Sequence, residues 1–575
     1  MPASTHTVTN QPPPLVDYDI FAADPALTEA VARHASPEHA EAVRAELSEL
    51  GLGAGSAEAQ EWGRQANEVP PVLRTHDRYG NRIDEVEFHP AWHRLMDRAV
   101  SAGLTDAWSR PDGQLRRTAG FYVWSQVEAG HGCPVSMTHA AVPALRREPA
   151  VAAEWEPLLS SHTYQPGLDR PASAKAGAIA GMGMTEKQGG SDVRANTTVA
   201  VPLTGGGAGD GEYVLTGHKW FCSAPMSDVF LVLAQVAGDG GDGGAAGDGG
   251  AGADGGGLTC FLVPRVLPDG TRNTFRIQRL KDKLGNRSNA SSEVEFDGTT
   301  WARRVGEVGR GVATIIEMVA ATRLDCVTGS SALMRNAVAQ AAHHAAHRSA
   351  FGGILADKPL MQNVLADLAL ESEAATALTM RLATAFDASQ GDGELAAQER
   401  ALLRLAVPAA KYWVTKRATP VVVEALECLG GNGYVEESGM PRMLRESPLN
   451  AIWEGSGNVQ ALDLLRALQR SPEALDAFLA EIGKARGADH RLDAATKDLL
   501  AELSDLDGIE ARARRLVERM AQVLQGSLLV RYAPAPVTDA FCASRLGTDW
   551  GTNFGTLPHT LDLRAIMDRA RPEVP

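Results

Sequence analysis

Twice along its length this chain changes its hydrophobic rhythm, and that double change restricts the fold more than any single residue. From about Pro25 to Met182 the pattern is mainly helical and strand signals are scarce. The stretch Pro37 to Leu47 carries strong helix formers behind Ser36, a natural N-cap. Between about Gly183 and Trp301 come short β runs at Thr197 to Leu203, Val229 to Val236, Leu258 to Val263 and Glu293 to Phe296, parted by Gly and Asp turns. Helical spacing then returns around Val312 to Arg348, Leu360 to Ala388 and Glu399 to Leu429, lengths suited to a bundle, and a further helical tract follows from about Pro472. The pattern predicts an α+β multidomain chain: an N-terminal helical domain over 1–182, a central β domain over 183–301, a C-terminal helical bundle over 302–470 and a C-terminal helical extension over 471–575. Inside the β domain, residues 238–257 consist of Gly, Ala and Asp alone, which cannot bury apolar surface, so a flexible hairpin insertion is expected there.

Composition narrows the partners. With 575 residues, 44% of them hydrophobic, the chain can bury several cores. The first residues lack a basic start followed by an apolar stretch, and no run approaches the ~20 apolar residues that span a bilayer. A cytoplasmic protein with no membrane partner is the expectation. Six cysteines lie far apart without a CxxC pair, as expected of reduced thiols. A net charge of −16 gives no global attraction to phosphate, so a small molecule is the expected partner.

Three stretches carry candidate chemistry. Gly183 to Asp192 reads GMTEKQGGSD; its glycines let backbone N–H groups approach an oxygen-rich ligand, and Thr185 and Ser191 offer hydroxyls, although a simple turn has the same composition. Thr216 to Ala224 contains Trp220 and Phe221 followed by a hydroxyl at Ser223, read here as a strand start, which could flank a flat ring or pack a core. Ile452 to Asn458 reads IWEGSGN and places one carboxylate, Glu454, among an aromatic and glycines. Partial burial against Trp453 would raise that carboxyl toward general-base use, whereas a solvent loop would leave it ordinary.

In this order and at these separations the three stretches resemble the acyl-CoA dehydrogenase superfamily over about Met182 to Leu468, and the fuller wording MTEKQGGSDVR and WEGSGN resembles its AidB-like branch. The resemblance implies a helical domain, a central β-barrel-like domain and a C-terminal helical bundle with an extra helical domain. It implies FAD between the β domain and the bundle, with Met184, Thr185, Gly190 and Ser191 on the flavin and pyrophosphate. Phe221, Cys222 and Ser223 would lie beside the ring, and Ile452, Trp453, Gly455, Ser456 and Asn458 along it. Arg348, Phe351, Gly430 and Gly431 match segments that reach the FAD of a neighbouring subunit, which implies a homotetramer. Glu454 aligns with the base that takes the α-proton of an acyl thioester while hydride leaves the β-carbon for flavin N5. Some members carry the base on an earlier helix, where this chain has Thr322, so Glu454 is the candidate. Two positions depart from the common pattern: Lys187 replaces a Pro, and Pro359 replaces a Gln that meets adenine. Acyl-CoA or another acyl carrier therefore both stay open as substrate.

The AidB-like branch is associated with the response to DNA alkylation and with DNA binding through the C-terminal helical domain. From Ser471 to Pro575, however, 13 Lys or Arg face 16 Asp or Glu, and Arg512, Arg514, Arg515 and Arg519 form a cluster that ion pairing also explains. A vestigial dehydrogenase that binds DNA, or a flavin enzyme of specialised metabolism, is the alternative to α,β-dehydrogenation. His343 and His347 stand four apart on a predicted helix without further ligands, and no metal is expected. Neither a GxxxxGK[ST] loop nor a Rossmann GxGxxG in a βαβ setting occurs.

Overall fold

A computed structural model describes residues 5–203, 211–236, 257–505 and 507–573. Packing divides the chain into two compact units: Met1–Gln60 with Gln114–Val127 and Arg323–Pro575, and Glu61–Gly113 with Glu128–Thr322.

The second of these units contains the sheets. An antiparallel hairpin, β1 (Val72–His76) and β2 (Arg82–Glu87), stands where the sequence reads as helix. Its turn explains the difference. Asp77 Oδ1 accepts the N–H groups of Tyr79 and Asn81 at 2.8 and 2.9 Å, and Gly80 adopts φ +87°, so side-chain turn chemistry folds the chain back. The main sheet comprises β3 (Ala180–Gly183), β4 (Val199–Pro202), β5 (Glu212–Ser223), β6 (Val229–Val236), β7 (Gly257–Pro264), β8 (Arg276–Leu280) and β9 (Ser291–Val305). Pairings run β6 to β4, β5, β9, β7 and back to β6, which closes a barrel, with β3 added on β6 and β8 on β9. This is the expected β-barrel-like centre. Phe230, Val232, Phe261, Phe275, Ile277 and Phe296 fill it. β9 is far longer than the Glu293 to Phe296 run suggests, because its Ser and Thr positions are held by pairing with β5, β7 and β8 and not by local preference. Of the Gly/Ala/Asp stretch, Gly257 opens β7 and residues 238–256 lie outside the described residues.

The other unit is helical. Pro359–Ser389, Glu394–Cys428 and Gly457–Arg470 pack with the Arg323–His347 portion of the Gly311–His347 helix. Helices Pro472–Gly483 and Ile509–Tyr532 lie on Glu394–Cys428, so Leu378, Trp413, Leu464, Phe478, Met520 and Leu528 belong to one core. Buried charge pairs tie the last helices down: the Arg545 guanidinium donates to Glu371 at 2.8 Å, and Arg381 to Glu481 at 2.9 Å. The helix expected behind Ser36 begins instead at Ala40, because the Ser36 carbonyl accepts from both His39 and Ala40 in a preceding turn. A two-residue ladder, β10 (Ser349–Ala350) and β11 (Gly353–Ile354), turns at Phe351 and Gly352.

Candidate active site

In the barrel unit, the loop after β3 is built around a carboxylate that composition alone does not single out. Glu186 is buried and accepts from Lys219 Nζ at 2.7 Å, Thr198 Oγ1 at 2.6 Å and the Thr197 N–H at 2.7 Å. Burial opposes its ionisation, but the Lys219 charge and these hydrogen bonds outweigh that and hold the carboxyl down at about 2. Thr185 accepts the Trp220 N–H at 2.8 Å, which fixes the loop to β5. The chain then folds back so closely that a Cβ on Gly190 would stand 2.7 Å from Thr185 Oγ1, and Met184 and Thr185 remain partly exposed with Ser191 in solvent.

At the end of β5 the pleat separates two roles. Lys219 and Cys222 turn inward; the Cys222 thiol lies in the barrel core, where burial pushes it up to about 12. Phe221 stays 48% exposed. Lys281 Nζ sits 3.1 Å from the Trp220 ring centroid and 4.8 Å from that of Phe221, so Trp220 already has a cation on it. Ser223 closes β5 and does not open a strand; its Oγ lies 3.2 Å from Ser291 Oγ. Lys187, at the Pro position, faces Glu295 at 3.8 Å.

In the helical unit, Glu454 sits in a loop whose backbone is over-determined. It has φ +56°, left-handed and costly for a residue with a Cβ, and Gly455 follows at φ +96°. The Glu454 carbonyl accepts from Arg323 Nε at 3.1 Å and Gln460 Nε2 at 2.9 Å. Lys411 Nζ donates to the carbonyls on either side, Trp453 and Gly455. Arg323 is itself fixed by Asp463 at 2.7 Å, and Trp453 Nε1 donates to Asn450 Oδ1 at 2.9 Å. Burial pulls the Lys411 ammonium below the usual lysine range, and the Glu454 carboxylate opposes that shift. The two charges therefore favour one another. Ser456 stands at the N-cap position of the Gly457–Arg470 helix without a side-chain capping hydrogen bond, Asn458 is exposed in the first turn, and Ile452 is 64% exposed.

Elsewhere in this unit, Arg348 donates to the Asn10 carbonyl, and Phe351 stands 95% exposed at φ +50°. Gly430 has φ +59°, and neither it nor Gly431 has an atom within 4 Å of where a Cβ would be. Taken unit by unit, the exposed Phe221 ring of the barrel unit and the exposed Phe351 ring, Ile452 side chain and open glycine backbone of the helical unit are the residue types that cover a heteroaromatic ring and admit a pyrophosphate, so the residues present fit FAD. At the end of the barrel unit, Thr322 is buried and donates to the Val319 carbonyl at 3.1 Å. Pro359 occupies the first turn of its helix. His343 and His347 each spend a ring nitrogen on a carbonyl, Pro13 and His343 respectively, at 2.8 Å. In the extension, Arg515 pairs with Glu502 at 3.0 Å, Arg512 with Asp505 at 3.2 Å, and Arg514 Nε lies 3.2 Å from Tyr412 Oη. No helix among the described residues is long and apolar enough to cross a membrane.

Comparison with known proteins agrees with this anatomy. Residues 10–166 match the adaptive response protein AidB N-terminal domain, 181–299 the acyl-CoA dehydrogenase middle domain and 309–469 the acyl-CoA dehydrogenase C-terminal domain. The chain is 43% identical to AidB of Escherichia coli (strain K12), over 98% of each chain. It is 31% identical to acyl-CoA dehydrogenase family member 11 of Caenorhabditis elegans, over 85% of this chain and 80% of that one. The crystal structure of Caenorhabditis elegans ACDH-11 in complex with C11-CoA superposes with a TM-score of 0.81 at 27% identity, covering 100% of this chain and 95% of that one. With the barrel, the bundle and the Glu454 loop all in place, the chain belongs to the acyl-CoA dehydrogenase family, in its AidB branch.

Proposed function

We propose that this FAD-dependent oxidoreductase of the acyl-CoA dehydrogenase type removes two hydrogens from the α and β carbons of a short or branched acyl thioester, with Glu454 as the base. The observation that carries this reading is the Glu454 backbone: left-handed, its own carbonyl held by Arg323 and Gln460, and its neighbours' carbonyls by Lys411. Strain maintained by so many contacts belongs to a residue whose direction matters. The carboxylate accepts the α-proton, which the thioester carbonyl has made acidic. Bound FAD supplies the acceptor for the hydride that leaves the β-carbon. Thr185, Phe221 and Ser223 orient the flavin ring, Met184 and the Cys222 main chain adjoin it, and the exposed backbone of Gly190 and Ser191 receives the pyrophosphate. Ile452, Trp453, Gly455, Ser456 and Asn458 add further contacts. Arg348, Phe351, Gly430 and Gly431 serve a neighbouring subunit in a homotetramer. The relative solved with C11-CoA supports an acyl-CoA as the thioester.

The test is an anaerobic titration of the yellow protein with short and branched acyl-CoA thioesters, followed at the visible flavin band. One member should bleach it, and Glu454→Gln should retain FAD but lose the bleaching, because an amide accepts no proton. Reduction at the parental rate in that variant would remove Glu454 from its role.

A further inference from the structure

Within the helical unit, an arm near the start of the chain closes on the segment that turns at Phe351. One side chain takes both main-chain polar groups of Ser349: Asn10 Nδ2 donates to the Ser349 carbonyl at 2.8 Å, and the Ser349 N–H donates to Asn10 Oδ1 at 2.7 Å. An amide paired in this way does what the peptide group of an adjoining strand does. Arg348 donates to the Asn10 carbonyl, and His343 Nε2 lies 2.8 Å from the Pro13 carbonyl.

The arm is built to reach this place. Asn10 holds φ +58°, a left-handed conformation that Asn tolerates better than most residues. Pro12, Pro13 and Pro14 follow; their rings fix φ, and without N–H groups they pair with no strand. The segment is therefore stiff, and it enters the core where Leu15 and Tyr18 are buried. What it holds is weak by itself. β10 and β11 share only two residue pairs, Ser349 with Ile354 and Ala350 with Gly353, and a two-stranded pair is marginal in water. The turn between them carries φ +50° at Phe351 and +75° at Gly352.

We propose that the Asn10 arm is a strap that fixes the base of the β10–β11 turn, so that retention of FAD is controlled from residue 10. Closed, it holds Arg348 and the turn in the direction the cofactor needs; open, it lets the turn swing and FAD leave. A guanidinium has five N–H donors, so the bond to Asn10 aims Arg348 without exhausting it. The strap grips Ser349 and leaves the Phe351 ring, 95% exposed, to be covered by another chain. The proposal rests on the reading of Arg348 and Phe351 as FAD contacts of a neighbouring subunit.

Hydrogen–deuterium exchange of the full FAD-loaded chain, read by mass spectrometry, tests it in Asn10→Gly. Glycine keeps φ +58° without strain and removes only the amide side chain, and Asn10 is exposed, so no core is touched. Exchange at Ser349 should accelerate at least ~fivefold, the effect of losing one hydrogen bond, with the long helices unchanged. Release of FAD, followed by the fluorescence of free cofactor after dilution, should accelerate with it. Unchanged exchange at Ser349 overturns the strap. Faster exchange with FAD release at the parental rate overturns its hold on the cofactor, and Phe351→Gly then locates the failure. Faster release in Phe351→Gly alone keeps the turn as a cofactor contact and removes the strap; parental release in both variants removes the turn's own assignment.

Discussion

The buried ammonium of Lys411 joins the Trp453 carbonyl to the Gly455 carbonyl, at 2.8 and 2.6 Å, and so brackets Glu454 from both sides. Lys411 is the donor these two acceptors share, and the Gly455 carbonyl accepts from Gln460 Nε2 as well, at 3.0 Å. Lys411→Met leaves both without it, which should cost about 2–4 kcal/mol of stability. It also removes the positive charge that favours the Glu454 carboxylate. Flavin reduction by substrate should slow at least ~tenfold, because small displacements of a catalytic group are costly. The acid limb of the pH–rate profile should move to higher pH, since an opposite charge that favoured ionisation is gone. Stopped-flow reduction across pH, with FAD content measured alongside, checks this. A lower melting temperature with an unmoved pH profile would make Lys411 purely structural.

Glu454→Gly isolates the strain. Glycine takes φ +56° without penalty, whereas a side chain there costs ~1–2 kcal/mol. The variant should therefore melt at or above the parental temperature while losing substrate-driven flavin reduction. Chemical denaturation with an unchanged slope would measure the gain. A clear loss of stability would mean that the Glu454 carboxylate contributes more to the fold than its backbone costs.

How far the fold was legible depended on how local its causes are. Val229 to Val236 reads as a strand and is β6, because eight residues dominated by β-branched and large apolar side chains leave little choice. The long helices were equally plain: Val312 to Arg348 anticipates Gly311–His347 within a residue at each end. The β1–β2 hairpin was missed, since its evidence is one Asp-centred turn amid helix formers. β5 is absent from the expected β runs and its Thr216 to Ala224 stretch reads as a strand start, because Lys219 can enter the core only once Glu186, distant in sequence, meets it there. The same holds at the Glu454 loop. A carboxylate between Trp and Gly stood out, whereas its holders Arg323, Lys411 and Gln460 come from three separate helices. A single Lys within the apolar run from Leu405 to Val414 was the available signal.

Acid should find the barrel unit through its buried carboxylates. Burial opposes ionisation at Glu128 and Glu186, yet His131 and hydrogen bonds at the first, and Lys219 at the second, hold both folded carboxyls at about 2 against an ordinary value of 4.5. A folded value below the unfolded one gives stability that is present above about pH 4.5 and lost as pH falls toward 2. Glu186→Gln should flatten that acid slope, and should cost ~3–5 kcal/mol at neutral pH because Lys219 stays buried without its partner charge. Denaturant midpoints from pH 7 down to the acid limit measure both effects. An acid slope as steep in the variant as in the parent would place the sensitive groups elsewhere.

Phe351 combines two costs that nothing within its own unit offsets: it is 95% exposed, and it holds φ +50°. A large ring left in water at the tip of the β10–β11 turn, with Tyr434 also 82% exposed, is the kind of surface that contact with another chain covers. The proposed homotetramer and its shared FAD contacts supply such a cover. Phe351→Asp puts a desolvation penalty into that contact, so sedimentation velocity should resolve a tetramer for the parent and a smaller species for the variant, with FAD lost in proportion. Phe351→Gly relieves the backbone but removes the ring, and it should weaken assembly less than Asp does, because no charge has to be buried. A variant tetramer that retains FAD in both cases would exclude this turn from the subunit contact and from the cofactor.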